Sequence, residues 1–382
     1  MSRLEELIQQ LFPDGVEYKA IKEEYQRLKG TPITAAKMKE IARSDGEVRV
    51  FAGGKTVIDA HEKDIPNANI IYVPAVLVQS RGVIDAIYYE KPFTFKNEMW
   101  AYTHPEKTSV KFLYYVLKSN MGKFRDAASG MGSLPQISLS VTEDFRIPLP
   151  PLPVQQEIVR ILDTFTELTA ELNEKLTAEL AARKKQYEYY RDELLHKSSF
   201  RDVRVCKLGE VANIHTGSKP AEILEDYSEF EYINAGTSNS GYVKTPNSPG
   251  DTVTTPSRGQ GGIGFVGYQS RPFHLGPLCY SIRSNDENIV TNKFIYYWLS
   301  SHAGDILAFK KEGGTPALNR GDLMGLRLCV PHISVQHRIV SILDRFDALC
   351  NDLTSGLPAE MEARRKQYEY YRDKLLSFKV KA

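Results

Sequence analysis

The sequence predicts an α/β (α+β) chain: two globular domains separated by two long antiparallel helices, the whole a pseudo-two-fold internal repeat. Three observations carry this. First, residues 150–195 match residues 331–376 without a gap, 26 of 46 positions being identical, at a displacement of 181. A match of that length marks a duplicated unit. Second, apolar residues in the first copy fall at Val154, Ile158, Ile161, Leu162, Phe165, Leu168, Leu172, Leu176 and Leu180, the steps of three and four that place one stripe on a helix. The second copy keeps the stripe at Val335, Ile339, Ile342, Leu343, Phe346, Leu349, Leu353, Leu357 and Met361. Third, the segments between the helices repeat more loosely. Ser80-Arg81-Gly82 answers Ser257-Arg258-Gly259, and Lys111-Phe112-Leu113-Tyr114-Tyr115 answers Lys293-Phe294-Ile295-Tyr296-Tyr297.

Residues 1–149 form the first globular domain. It opens on a short amphipathic helix, Leu4, Leu7, Ile8 and Leu11 on one face, stopped by Phe12-Pro13-Asp14-Gly15. Strand-like runs follow at residues 48–51, 70–73 and 75–78, with one clear helix at 110–119. Residues 150–198 are the first long helix, and 199–330 the second domain, where Lys29-Gly30-Thr31-Pro32 is answered by His215-Thr216-Gly217-Ser218. Residues 331–382 are the second long helix. Ser355-Gly356-Leu357-Pro358 predicts a kink or break within it, since proline lacks an amide hydrogen and pushes the preceding residue from α geometry. Glu6-Leu7-Ile8 near the start of the chain parallels Glu193-Leu194-Leu195 at the end of the first helix, so the two halves are expected to close into a ring.

Bulk composition narrows the classes. With 382 residues there is room for two or three domains. No run approaches the roughly 18–20 apolar residues of a membrane span, and the acidic start Met1-Ser2-Arg3-Leu4-Glu5-Glu6 is unlike a signal peptide, so a cytoplasmic protein is expected. Cys206, Cys279, Cys329 and Cys350 are scattered, suggesting neither disulfides nor zinc. A net charge of +1 means that any nucleic-acid surface is local.

The run Pro150-Pro151-Leu152-Pro153-Val154-Gln155-Gln156-Glu157-Ile158-Val159, then Ile161-Leu162-Asp163 and the Arg183–Arg191 stretch Arg-Lys-Lys-Gln-Tyr-Glu-Tyr-Tyr-Arg, resembles the specificity subunit of type I restriction-modification enzymes. So do Ile233-Asn234-Ala235-Gly236, Pro256-Ser257-Arg258-Gly259 and Gly261-Gly262-Ile263-Gly264. The resemblance implies a non-catalytic subunit with two target recognition domains, each reading one half of a split duplex sequence. It implies helices that set the spacing and dock two methyltransferase (modification) subunits, which bring in the motor-nuclease (restriction) subunits.

On that resemblance, Lys29, Thr31, Ser80, Arg81, Thr216, Lys219, Asn234, Asn239, Ser257, Arg258 and Gln260 are candidate DNA contacts. Arginine is the usual bidentate reader of guanine and equally a phosphate clamp. Gly259-Gln260-Gly261-Gly262-Ile263-Gly264 fits G-x-G-x-x-G, but a strand follows where a dinucleotide site needs a helix, so a DNA-facing loop or plain turn is expected. Phe165, Leu168, Leu172, Tyr187, Tyr190, Phe346, Leu349, Leu353, Tyr368 and Tyr371 are expected to pair the helices and dock subunits.

No catalytic, metal or cofactor site is expected. The chain has no N-P-P-Y or D-P-P-Y methylase tetrapeptide and no Walker A sequence, and Pro13-Asp14 with Glu17-Tyr18-Lys19 is too short for a nuclease hairpin. Rival expectations are a scaffold whose globular domains bind peptides, or a specificity subunit of an orphan methylation system without a nuclease.

Overall fold

The computed structural model describes residues 3–54, 56–128, 134–196, 203–227, 229–259, 262–311, 316–351 and 356–381. Two compact units divide it, one of Met1–Glu174 with Glu362–Ala382, the other of Lys175–Met361. Each unit therefore takes one globular domain and a segment of each long helix.

In the first unit, strands Gln26–Leu28, Met99–Thr103, Ala75–Gln79 and Asp85–Tyr89 lie in that order in an antiparallel sheet. A second sheet orders Val57–Ala60, Val48–Phe51 and Phe93–Phe95, its last pair parallel, and Tyr18–Ala20 pairs with Arg146–Pro148. The run Ala75-Val76-Leu77-Val78 shows why an apolar strand suits the centre. Val76 and Val78 face one core with Phe112, Leu113 and Val116 of the helix Lys107–Ser119, while Ala75 and Leu77 face another with Phe93 and Phe95. Both faces are covered, so both must be apolar. Residues 70–73 correct the sequence reading: only Ile71 is bridged, to Phe93, and Tyr72 and Val73 are exposed.

The second unit repeats the plan. Strands Ala212–Thr216, Cys279–Ser284, Thr252–Pro256 and Gly267–Gln269 form the four-stranded sheet, and Tyr242–Val243, Phe230–Ile233 and His274–Leu275 the three-stranded one. Val203–Lys207 pairs with Arg327–Pro331, and Asn292–Ser301 supplies the core helix. Strand order and pairing sense are the same in both domains, so the loose repeat seen in the sequence is a full repeat of topology. The first domain adds the helix Ala35–Ile41, whose Thr34 cap accepts from the Lys37 amide at 3.2 Å.

Beside that added helix, Glu47 accepts the Glu62 amide at 2.9 Å and bonds to His61 Nδ1 at 2.7 Å. The amide and then the imidazole lower its pKa to about 2 from an ordinary 4.5. A carboxylate lowered on folding contributes stability above its unfolded pKa and loses it as the pH falls through the folded one. Amide-exchange protection at Glu62 should therefore fade between about pH 4.5 and 2, and Glu47→Gln should remove that pH dependence. A protection profile flat over this range would contradict it.

The first long helix is continuous from Leu152 to Leu195, about 65 Å at 1.5 Å per residue. In its second copy Ile333–Asn351 and Leu357–Leu375 are helical, the latter with Pro358 in the first turn where no amide partner is needed; residues 352–355, beside which the kink is expected, lie outside the described residues. Val154, Ile158 and Leu162 are buried in the first domain's core, and Ile339 and Leu343 in the second's. Farther along, the helices meet antiparallel within each unit. Phe165 lies 6.3 Å from Tyr371 in one, and Phe346 stacks 5.9 Å from Tyr190 in the other. The same two positions meet in both, with the copies exchanged. In the first unit residues 378–381 also run beside residues 16–18, Val16 giving its amide to Lys379 O at 2.9 Å and taking that of Lys381 at 2.9 Å.

Candidate nucleic-acid interface

Backbone bonds in each domain tie several loops to one edge. In the second, Ser218 N–H donates to Leu275 O at 3.0 Å, and Gly217 N–H to Gly276 O at 3.2 Å. Gly276 N–H reaches Ile233 O at 2.8 Å, Ser257 N–H reaches Leu278 O at 2.8 Å, and Gly259 N–H reaches Pro316 O at 3.2 Å. The first domain uses equivalent bonds. Thr31 N–H donates to Phe95 O at 2.8 Å, Gly82 N–H to Pro135 O at 2.9 Å, and Ile137 N–H to Ser80 O at 2.9 Å, as Leu318 N–H does to Ser257 O at 2.9 Å. Gly82 and Gly259 both have positive φ, +75° and +110°, which presents Arg81 and Arg258 on matching left-handed turns. Both arginines are exposed.

Of the candidate contacts, Lys29, Arg81, Thr216, Lys219 and Arg258 are exposed on this edge, and Asn239 is half-buried in a loop beside it. Three others are corrected. Thr31 is fully buried, its hydroxyl 2.8 Å from Thr94 and accepting the Asn69 amide at 2.9 Å. Ser80 is buried with its hydroxyl on Glu98 O, and Ser257 is buried likewise. These side chains shape the edge from beneath and do not present a polar group to a groove. Asn234 is half-buried and spends its Oδ1 on the Leu278 amide at 3.0 Å, holding the loop where Gly276 leaves room for it. Gln260 lies outside the described residues. The repeat register also shifts by one: Gly30 matches Gly217, since a Cβ on either would fall within 1.9 Å or 1.8 Å of the carbonyls of Phe95 or Leu275.

The structure adds residues that the sequence reading passed over. Gln136 is bridged to Arg81 as Ala317 is to Arg258, and the repeated Pro135 and Pro316, again 181 apart, were the available signal. Glu98 accepts Lys96 at 3.0 Å and the Gly53 amide at 3.2 Å. Burial pushes its carboxyl up, but those two partners outweigh it and hold it below the ordinary range. In the second domain Thr237, Asn239, Phe265 and Gln269 line a cleft of about 360 Å³, where donors, acceptors and an aromatic face stand together. In the first, Gln79, at the strand position that Pro256 holds in the second, turns its amide to Gly54 O. The two edges share a backbone and differ in surface.

The helix residues divide in the same way. Tyr187 packs against the second core, and Tyr368 OH lies 3.1 Å from Thr166 Oγ1 on the other long helix. Phe165, Leu168, Leu172, Tyr368 and Tyr371 line an apolar groove in which Leu168 stays 56% exposed and Tyr371 42%. In the second unit Leu349 and Tyr190 are exposed, 38% and 41%, and Leu353 lies outside the described residues. Pairing thus leaves apolar surface uncovered in both units.

Among the described residues there is no cluster of metal-ligating side chains, and no helix is long and apolar enough to cross a membrane. The described residues thus form a doubled module with unlike polar edges on one scaffold. Its residues 24–182 and 201–363 match the type I restriction modification DNA specificity domain, and the chain belongs to that family. It is the non-catalytic DNA sequence-specificity subunit of a type I restriction-modification system.

Among its relatives, the Escherichia coli type I restriction enzyme EcoR124I/EcoR124II specificity subunit is 38% identical over 308 residues, 71% of this chain and 72% of the relative. A putative type I restriction enzyme specificity subunit of Haemophilus influenzae is 33% identical over 314 residues, 74% and 77% of the two chains. For the fold, the chain is similar to a structure of the type I restriction-modification system with a TM-score of 0.65 at 14% identity, covering 95% of this chain and 98% of the other. The Mycoplasma genitalium S subunit aligns with a TM-score of 0.52 at 21% identity, covering 95% and 96%. The peptide-binding scaffold is not favoured by these relations.

Proposed function

We propose that each domain reads one half of a bipartite duplex site through the loop edge centred on Arg81 or Arg258, and that the helices set the gap between the halves. The observation that carries this is the repeated edge: the same amide-to-carbonyl bonds hold each arginine turn, while the side chains around them differ. Phosphate contact by Lys29, Lys219 and the arginines would position the chain, and the unlike side chains would specify. The exposed apolar residues Leu168, Tyr371, Leu349 and Tyr190 serve as the docking surface for two modification subunits in the cytoplasm, through which the restriction subunits join.

Two measurements test the reading. Methylation mapped across a genome in cells holding this chain and its modification subunit should give two short half-sites with a constant gap; one contiguous motif would refute it. Leu168→Asp with Leu349→Asp should weaken capture of the modification subunit by about 10- to 100-fold, the range for burying an apolar side chain at an interface. An unchanged unfolding midpoint would locate the loss in docking, and unchanged capture would remove these residues from it.

A further inference from the structure

Each recognition domain is fastened to its long helix at a duplicated point; in the second copy Gln336 of the long helix also accepts the Thr291 amide at 3.0 Å and donates to Ile289 O at 2.8 Å. In the first copy Asp163 on the long helix receives two donors from the domain's helix, Lys111 Nζ at 2.8 Å and Tyr115 OH at 2.6 Å. Lys111 also stands 5.3 Å over the ring of Tyr88, on the last strand of the four-stranded sheet. In the second copy Asp344 receives Lys293 Nζ at 3.3 Å and the hydroxyl of Tyr297, and Lys293 stands 4.1 Å over Tyr268. Residue types, order and partners are the same. In the first unit the chain of contacts continues: Thr166 Oγ1 lies 3.4 Å from Tyr115 OH and 3.1 Å from Tyr368 OH on the partner helix.

The apolar contact around this point is nondirectional. Val154, Ile158 and Leu162 against Phe112, Leu113 and Val116 hold the domain to the helix but accept a range of tilts. A carboxylate taking a charged donor and a hydroxyl from one helix face is directional, and charge-assisted bonds are the strong ones. Burial and the adjoining carboxylate both push the Tyr115 and Tyr297 hydroxyls up, keeping them protonated donors. Tilt matters here. A tilt of about 10° over roughly 20 Å, the length of the 13-residue domain helix, moves a reading loop by about 3.5 Å, one step of the duplex.

We infer that Asp163 and Asp344, with Lys111, Tyr115, Lys293 and Tyr297, are positioning residues that fix the angle of each recognition domain on its helix and thereby the length of the gap the complex accepts. The inference rests on the bipartite reading proposed above.

The test maps methylation in cells carrying the full chain with its modification subunit, as wild type, Asp163→Asn, Tyr115→Phe, Lys111→Met and Lys111→Arg. The wild type is expected to methylate one gap length. Tyr115→Phe, Asp163→Asn and Lys111→Met should raise methylation at gaps one base pair longer or shorter by about tenfold, as about 1.4 kcal/mol of lost discrimination would do. The half-site sequences should not change. Lys111→Arg, which keeps a charged donor within reach of the carboxylate, should retain the single gap. A merely structural role would lower methylation at the one gap and add no other, and that result overturns the inference, as does an unchanged map in all variants. Should Asp163→Asn fail to accumulate, Tyr115→Phe keeps the ring and its packing and decides the question. A wild-type motif without a gap would instead sink the bipartite reading itself.

Discussion

Gly217→Ala should unfold the second recognition domain, lowering its stability by about 3–5 kcal/mol, and Gly30→Ala should do the same to the first. A Cβ at residue 217 would stand 1.8 Å from Leu275 O, and one at residue 30 would stand 1.9 Å from Phe95 O. Neither obstacle is the end of a flexible side chain; each is backbone. Leu275 O is the acceptor of Ser218 N–H, and Gly276 O of Gly217 N–H, so the strand cannot withdraw without breaking both bonds. Overpacking costs roughly 1–3 kcal/mol and each lost hydrogen bond about 1 kcal/mol more, and here they add. Denaturant unfolding provides the measurement, and the helical glycines provide the control. Gly122 and Gly304, in helices Met121–Asp126 and Ala303–Ala308, have nothing within 4 Å of where a methyl group would stand, and alanine there should stabilise by about 0.5–1 kcal/mol. A Gly217→Ala chain within about 1 kcal/mol of the parent would disprove the close approach.

Arg258→Ala is expected to weaken binding of the complex about 10- to 100-fold at the half-site read by residues 199–330, with the other half untouched. Its side chain is exposed while its backbone is held by the bridge to Ala317 and the left-handed Gly259. Loss of a bidentate contact to guanine would cost about 1–3 kcal/mol at one base pair and relax the sequence there. Loss of a phosphate clamp would weaken all sequences alike and make the salt slope shallower by about one. Competition binding across base substitutions and salt concentrations separates the two. Arg81→Ala should have the mirror effect on the other half. Equal loss at both halves from either substitution would contradict the division of labour between domains.

Much of the architecture was legible because helix periodicity and repetition are written locally. That the two stripes pair with each other was legible, since duplicated stripes on helices need partners; which residues meet, Phe165 with Tyr371 and Phe346 with Tyr190, was not. The interface was legible only in part. Thr31 and Lys29 are two residues apart in one loop and both have the chemistry to meet DNA; Lys29 is exposed and Thr31 is fully buried against Thr94. Nothing near them in sequence reports Thr94, which arrives from a strand 63 residues away. The structural bond of Asn234 was illegible for the same reason, its partner Leu278 lying 44 residues on.

By itself the sequence determined the duplication, the helices and their seam, the matched arginine turns and the family. Those depend on spacing along the chain, which a helix of 3.6 residues per turn converts directly into a face. Tertiary structure alone decided which polar side chains stay free at the reading edge, that Gly30 and Gly217 are equivalent, and that Asp163 and Asp344 each collect two donors from a domain helix. Burial and hydrogen-bond partnership are properties of strands brought together from distant positions, and no local period encodes which groups will meet there.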